Sequence, residues 1–89
     1  MTPIRIASGP LRVGVEDATV EGGPALLRVT VALADEHQGM LGFVGVKHQG
    51  KVVECEGRPV RRPKRWVGVF SACLPISVHV EGFDPVDVA

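Results

Sequence analysis

The sequence predicts one small all-β domain, and three observations support this fold class. Sixteen of the 89 residues are valine, whose branched side chain packs better on a pleated sheet than in a helix. Eleven glycines and seven prolines interrupt the chain at short intervals, as the turns between many short strands require. No segment of helical length keeps a helical spacing of apolar residues better than it keeps a two-residue alternation.

Three strands are predicted in the first part of the chain, at residues 4–6, 11–15 and 25–34. The third is the clearest, because apolar residues occupy every second position from Leu27 to Leu33. Such alternation places one face of a strand in the core and leaves the other partly exposed. The glycine- and proline-rich turn 21–24 precedes this strand, and a brief strand is expected around residues 19–21.

The middle of the chain predicts a hairpin. In residues 40–47, apolar side chains occupy both odd- and even-numbered positions, which point to opposite faces of a strand. This indicates burial on both faces or a bulge at Gly42 or Gly45. The loop 48–50 then returns the chain into a strand at residues 51–56.

Further strands are predicted at residues 65–70, 76–80 and 86–88. Seven to eight short strands with a turn about every 8–12 residues are typical of a sandwich or a small barrel. The closing segment 76–88 is similar to the final hairpin of many immunoglobulin-like modules. A small antiparallel immunoglobulin-like β-sandwich over residues 1–89 is therefore expected, and a small barrel of the OB or SH3 type is the alternative.

The charge balance and the hydropathy of the sequence limit the classes of partner that the protein is expected to bind. Ten basic and ten acidic residues give a formal net charge of zero, so no bulk attraction to nucleic acid or to a membrane is indicated. No apolar run approaches the ~20 residues of a membrane span, and the N-terminus lacks the pattern of a signal peptide. We expect a cytoplasmic protein or a virion component, from a bacterium or a phage, with no membrane partner.

The basic segment 58–65 is the most distinctive feature of the charge pattern. It holds five basic residues and no acid, namely Arg58, Arg61, Arg62, Lys64 and Arg65, and Trp66 follows it. Guanidinium groups pair with carboxylates or phosphates, and a neighbouring aromatic ring can stack on a base. The segment is predicted to be a loop, and three interpretations stay open. In the first, the segment is a solvated loop and Trp66 is turned into the core. In the second the segment binds an acidic protein surface, and in the third it binds nucleic acid.

An acidic patch near the C-terminal end complements this segment. Its members are Glu81, Asp84 and Asp87. If the basic segment of one copy pairs with the acidic patch of another, the protein associates with itself.

The sequence lacks the common motifs of catalytic and nucleotide-binding sites. It contains no G-x-S-x-G, no phosphate-binding loop and no G-x-G-x-x-G. The three histidines, at positions 37, 48 and 79, lack the local pairing of zinc ligands. Cys73 and His79 are the nearest approach to a thiol–imidazole pair. Cys55 and Cys73 are expected to be two free, buried thiols, and a disulfide between them is the alternative. We therefore predict no enzyme, no cofactor and no metal site.

Three functional hypotheses follow from these observations. The first is a non-catalytic structural or protein-interaction module, a component of a larger bacterial or phage assembly, whose valine-rich strand edges suit strand addition. The second is a small nucleic-acid-binding barrel that uses residues 58–66. The third is an accessory or regulatory subunit that binds a small ligand or a metal.

Overall fold

The computed structural model describes residues 3–36, 41–55 and 65–89, and within them it contains eight β-strands and no helix. The strands are β1 (Ile4–Ser8), β2 (Leu11–Asp17), β3 (Leu26–Leu33), β4 (Val44–His48), β5 (Lys51–Cys55), β6 (Arg65–Ser71), β7 (Ile76–Val80) and β8 (Val86–Val88). In these ranges, accordingly, no helix has the length and apolar character needed to cross a membrane. The all-β prediction is confirmed.

The strands form two antiparallel four-stranded sheets. The first sheet has the order β1-β2-β3-β6, and the second sheet has the order β5-β4-β7-β8. The chain passes from one sheet to the other after β3, after β5 and after β6. Because the strands lie in two separate sheets and do not close on themselves, the alternative of a small OB- or SH3-like barrel is wrong.

One aliphatic core lies between the sheets. Alternation along β3 points Leu27, Val29 and Val31 inward, and all three side chains are buried. The second sheet contributes Val44, Val46 and Val78 in the same way. The core contains all of these buried residues in one contiguous cluster, so the alternation visible in the sequence accounts for its composition.

One predicted strand is absent, and another is shorter than predicted. Residues 19–21 do not form a strand. The side chains of Asp17 and Thr19 accept hydrogen bonds from backbone N–H groups that would otherwise pair with a neighbouring strand. The Thr19 N–H donates to Asp17 Oδ1 at 2.9 Å, and Leu26 N–H donates to Thr19 Oγ1 at 3.0 Å. The hydroxyl of Thr19, and then its backbone N–H, hold the pKa of the Asp17 carboxyl below its ordinary value.

The strand expected at residues 40–47 is shorter than predicted. It begins at Val44, and its burial alternates, so it is not buried on both faces. Leu41 lies before the strand and is fully buried. The pairing of β4 with β5 shifts between Val46 and Lys47, so the irregularity lies at neither of the two predicted glycines.

The β4–β5 hairpin has a two-residue turn at the predicted loop. Gln49 has a φ of 52° and Gly50 a φ of 77°. Two consecutive residues with positive φ form the type I′ turn, whose twist matches that of the flanking strands. Glycine adopts this conformation freely, whereas Gln49 adopts it at a steric cost.

Replacing Gln49 with asparagine is expected to stabilise the protein. Asparagine tolerates the left-handed conformation better than glutamine, so the free energy of unfolding should rise by about 0.5–1 kcal/mol. Thermal unfolding measures the change. Gln49→Ala is the control, because alanine has no such tolerance, and an equal gain from alanine would contradict the explanation.

Candidate functional site: an arginine-lined groove

The outer face of the first sheet carries one arginine from each of its four strands. They are Arg5 on β1, Arg12 on β2, Arg28 on β3 and Arg65 on β6, and all four are exposed. Each occupies the polar parity of its own strand, so the alternation that buries the valines points the arginines to the opposite side. We call this surface the arginine face.

The strand register places these arginines around small residues. Ala32 of β3 lies directly between Arg12 of β2 and Arg65 of β6. Because neighbouring strands are about 4.8 Å apart, the two arginine Cα atoms are about 10 Å apart. Arg5 lies in the next row, opposite Gly14, and Gly14 lies opposite Thr30.

An open groove of about 570 Å³ runs over this surface. Its floor is made of residues that project little from the sheet, namely Ala7, Gly14, Thr30 and Ala32, and the four arginines are among the residues that line it. Long side chains beside short ones produce this concavity on the outer face of the sheet. An extended segment or a small anion can therefore lie on the floor within reach of several guanidinium groups.

Only one of the four arginines has an acidic partner among the residues that the structure describes. Arg28 forms an ion pair with Glu16, which lies directly opposite it on β2. Arg12 donates from Nη1 to the carbonyl oxygen of Gly9 at 2.6 Å, which orients its guanidinium without neutralising it. Three positive charges, on Arg5, Arg12 and Arg65, are thus left to attract an anion.

Most of the basic segment predicted to bind a partner lies outside the described residues. Arg58, Arg61, Arg62 and Lys64 lie outside the described residues, and Arg65 lies on the arginine face. Trp66 is 8% exposed and points into the core. Its indole lies over Gly68, where an added Cβ would be 2.5 Å from Trp66 Cη2. The tryptophan therefore presents almost no surface on which a base can stack.

The acidic patch lies away from the arginine face. Glu81 and Asp84 are exposed in the turn between β7 and β8. Asp87 of β8 lies opposite Ser77 of β7 and is exposed on the second sheet. Within a single copy, these carboxylates and the arginines belong to different sheets.

The pairing considered between Cys73 and His79 is not present. The imidazole nearest to Cys73 is that of His48, with 3.8 Å between Sγ and Nε2. His79 Nε2 lies 3.0 Å from Ser77 Oγ. Cys73 is a free thiol as predicted, but it is exposed, so its expected burial is wrong. In the described ranges, no three metal-ligating side chains form a group that could hold an ion.

Comparison of the chain with protein-family models, curated proteins and solved structures gives no match. The arginine face is therefore the observation from which a function has to be inferred. Three of its members, Arg5, Arg12 and Arg28, do not stand out in the sequence because they are scattered. The available signal is their parity, since each takes the polar position of an alternating strand.

Proposed function

We propose that this protein is a non-catalytic protein-interaction module whose arginine face binds an acidic segment of a partner protein. The observation that carries the proposal is the groove in which Arg5, Arg12 and Arg65 have no carboxylate partner among the described residues. Guanidinium groups form paired, charge-assisted hydrogen bonds with carboxylates, and several of them acting together add affinity and orientation.

The surroundings of the groove favour a protein over a nucleic acid. Val67 and Val69 of β6 are 47% and 49% exposed, and they lie opposite Thr30 and Arg28 of β3 on the same face. Exposed aliphatic side chains beside guanidinium groups suit a partner that carries both apolar and acidic residues. Single-stranded nucleic acid is held by a basic groove together with aromatic side chains that stack on its bases, and Trp66 is buried.

The polar lining of the groove suits binding better than catalysis. Apart from the arginines, its polar side chains are Thr30 and Glu16, and Glu16 is already paired with Arg28. General acid–base chemistry needs a group that can exchange a proton near neutral pH, which arginine cannot do. A role in holding a partner within a larger assembly is consistent with this lining.

We infer further that the sandwich is immunoglobulin-like, and the support is the strand order. With β1 left aside, β2-β3-β6 follows the order A-B-E and β4-β7-β8 follows the order C-F-G, with β5 beside β4. Many domains of this architecture bind other proteins, which agrees with the proposed role by analogy.

Binding of a labelled peptide tests the proposed function. A short peptide of glutamate and serine should bind at low salt, and its matched glutamine–serine peptide should not. Reversing two charges, in the double variant Arg12→Glu/Arg65→Glu, should weaken binding of the acidic peptide by about tenfold or more. Fluorescence anisotropy measures both affinities.

The control is the double variant Glu16→Gln/Arg28→Gln, which removes an exposed ion pair from the same face and leaves the net charge unchanged. It should bind the acidic peptide nearly as well as the parent protein. Equal binding by the charge-reversed variant would overturn the proposal. Tight binding of a labelled single-stranded oligonucleotide with no binding of the peptide would replace it with the nucleic-acid hypothesis.

A further inference from the structure

The two sheets have four edge strands, and three of them are protected against pairing with another chain. β8 has three residues and carries Asp87 at its centre. β5 carries Lys51 and pairs with β4 through a register shift. β1 carries Arg5 and directly follows Pro3. Short length, charge, irregular pairing and proline are the features by which natural proteins prevent edge-to-edge association.

The fourth edge strand, β6, lacks these features. It is seven residues long, its pairing with β3 is regular, and its only charged residue is Arg65 at its first position. Val67 and Val69 expose about half of their surface. Among the described strands, none pairs with β6 on the side away from β3. Strand β5 comes close to β6 without pairing with it, so within the described residues the outer backbone N–H and C=O groups of β6 have no strand partner.

We propose that the occupant of this edge is β6 of a second copy of the chain, paired antiparallel about a two-fold axis at Gly68. The observation that points to a second copy is the symmetry of the strand's own sequence. On either side of Gly68 stand the valines 67 and 69, and beyond them the aromatic residues Trp66 and Phe70. A two-fold interface requires a surface that is complementary to itself, and this strand has that property.

The side chains match in this register. Val67 of each copy lies opposite Val69 of the other, so four exposed valines form one apolar patch on the arginine face. Arg65 lies opposite Ser71 of the second copy, which keeps the two arginines at opposite ends of the interface. No two like charges face each other, whereas self-pairing of an edge with a central charge, such as that of β8, would oppose two aspartates.

Pairing of this kind makes one continuous eight-stranded sheet of the order β1-β2-β3-β6-β6-β3-β2-β1. Directly opposed residues of antiparallel strands share a face, so both arginine faces lie on the same side of this sheet. The dimer does not depend on the proposed acidic partner, because it is held by the backbone of β6 with Val67 and Val69, while Arg5 and Arg12 lie on other strands and stay exposed. The two proposals therefore fail separately.

Charge design at positions 67 and 69 tests both the interface and its register. The parent protein should have twice its monomer mass of 9.5 kDa by light scattering coupled to size exclusion, at concentrations reaching the millimolar. In Val67→Lys/Val69→Lys the new lysines of the two copies face each other, and the dimer dissociation constant should rise by about tenfold or more. In Val67→Lys/Val69→Glu each new lysine faces a new glutamate, and the dimer should persist.

All three proteins should remain folded by circular dichroism, because both valines face outward. Val20→Lys, at a valine that is 68% exposed and outside the strands, is the control and should dimerise like the parent protein. A parent protein that stays monomeric at the highest concentration would overturn the proposal. So would a dimer that survives the double-lysine variant, or one that the lysine–glutamate variant disrupts equally. Acidic-peptide binding measured on the parent protein, whose arginine face is unchanged, reports on the proposed function separately from these variants.

Discussion

Replacing Leu27 with alanine is expected to lower the free energy of unfolding by about 2–5 kcal/mol. Leu27 is 4% exposed, and it lies on the inner face of β3 opposite Phe70 of β6. Removing its isobutyl group loses apolar burial and leaves a cavity that the two sheets cannot close completely. A protein of this size is stable by about 5–13 kcal/mol, so the loss is a large fraction of the total.

Leu26 is the matched control for this prediction. It is the preceding residue of the same strand, it points to the other face, and it is only partly buried. Leu26→Ala should cost less than about 1 kcal/mol, since its backbone N–H keeps its hydrogen bond to Thr19. Chemical denaturation of both variants measures the difference. Equal losses would contradict the assignment of inner and outer faces along β3.

Replacing Gly68 with alanine is expected to destabilise the protein by about 1–3 kcal/mol. The new Cβ would lie 2.5 Å from Cη2 and 2.8 Å from Cζ2 of the Trp66 indole. Contacts this short require the ring to move, and the ring is held in the core. The cost is steric and not conformational, because Gly68 is not among the glycines with positive φ.

Two controls isolate this contact. Gly14→Ala places its Cβ 3.9 Å from Thr30, an ordinary contact, so it should leave the stability unchanged or raise it by about 0.4–1 kcal/mol. In a Trp66→Phe background, which lacks the outer ring of the indole, Gly68→Ala should cost less than in the parent protein. Additive losses in the double variant would show that the indole is not the cause.

Strand positions were predictable because they depend on local alternation. The strands β3, β7 and β8 follow directly from the parity of their valines and leucines, and so does the inward orientation of their apolar side chains. The predictions failed where side chains replaced backbone pairing, as at Thr19, and where apolar residues on both parities hid the start of β4. At Thr19 these contacts are made by side chains, and the alternation of apolar residues carries no information about them.

The candidate site was harder to predict from the sequence than the fold was. The sequence singled out a contiguous basic segment, and Arg65, the member of it that the structure describes, lines the groove. Arg5, Arg12 and Arg28 are separated by as many as 60 positions from Arg65 and share no motif with it. Parity predicts that each faces outward, but not that their strands are neighbours.

By itself, therefore, the sequence determined the all-β class, most of the strands and the face of each strand that is buried. These properties follow from side-chain periodicity over a few residues. Only the tertiary structure decided which strands pair, because the order β1-β2-β3-β6 depends on contacts between segments far apart in the chain. That order places four scattered arginines around one groove and leaves the valine-rich strand β6 at an edge.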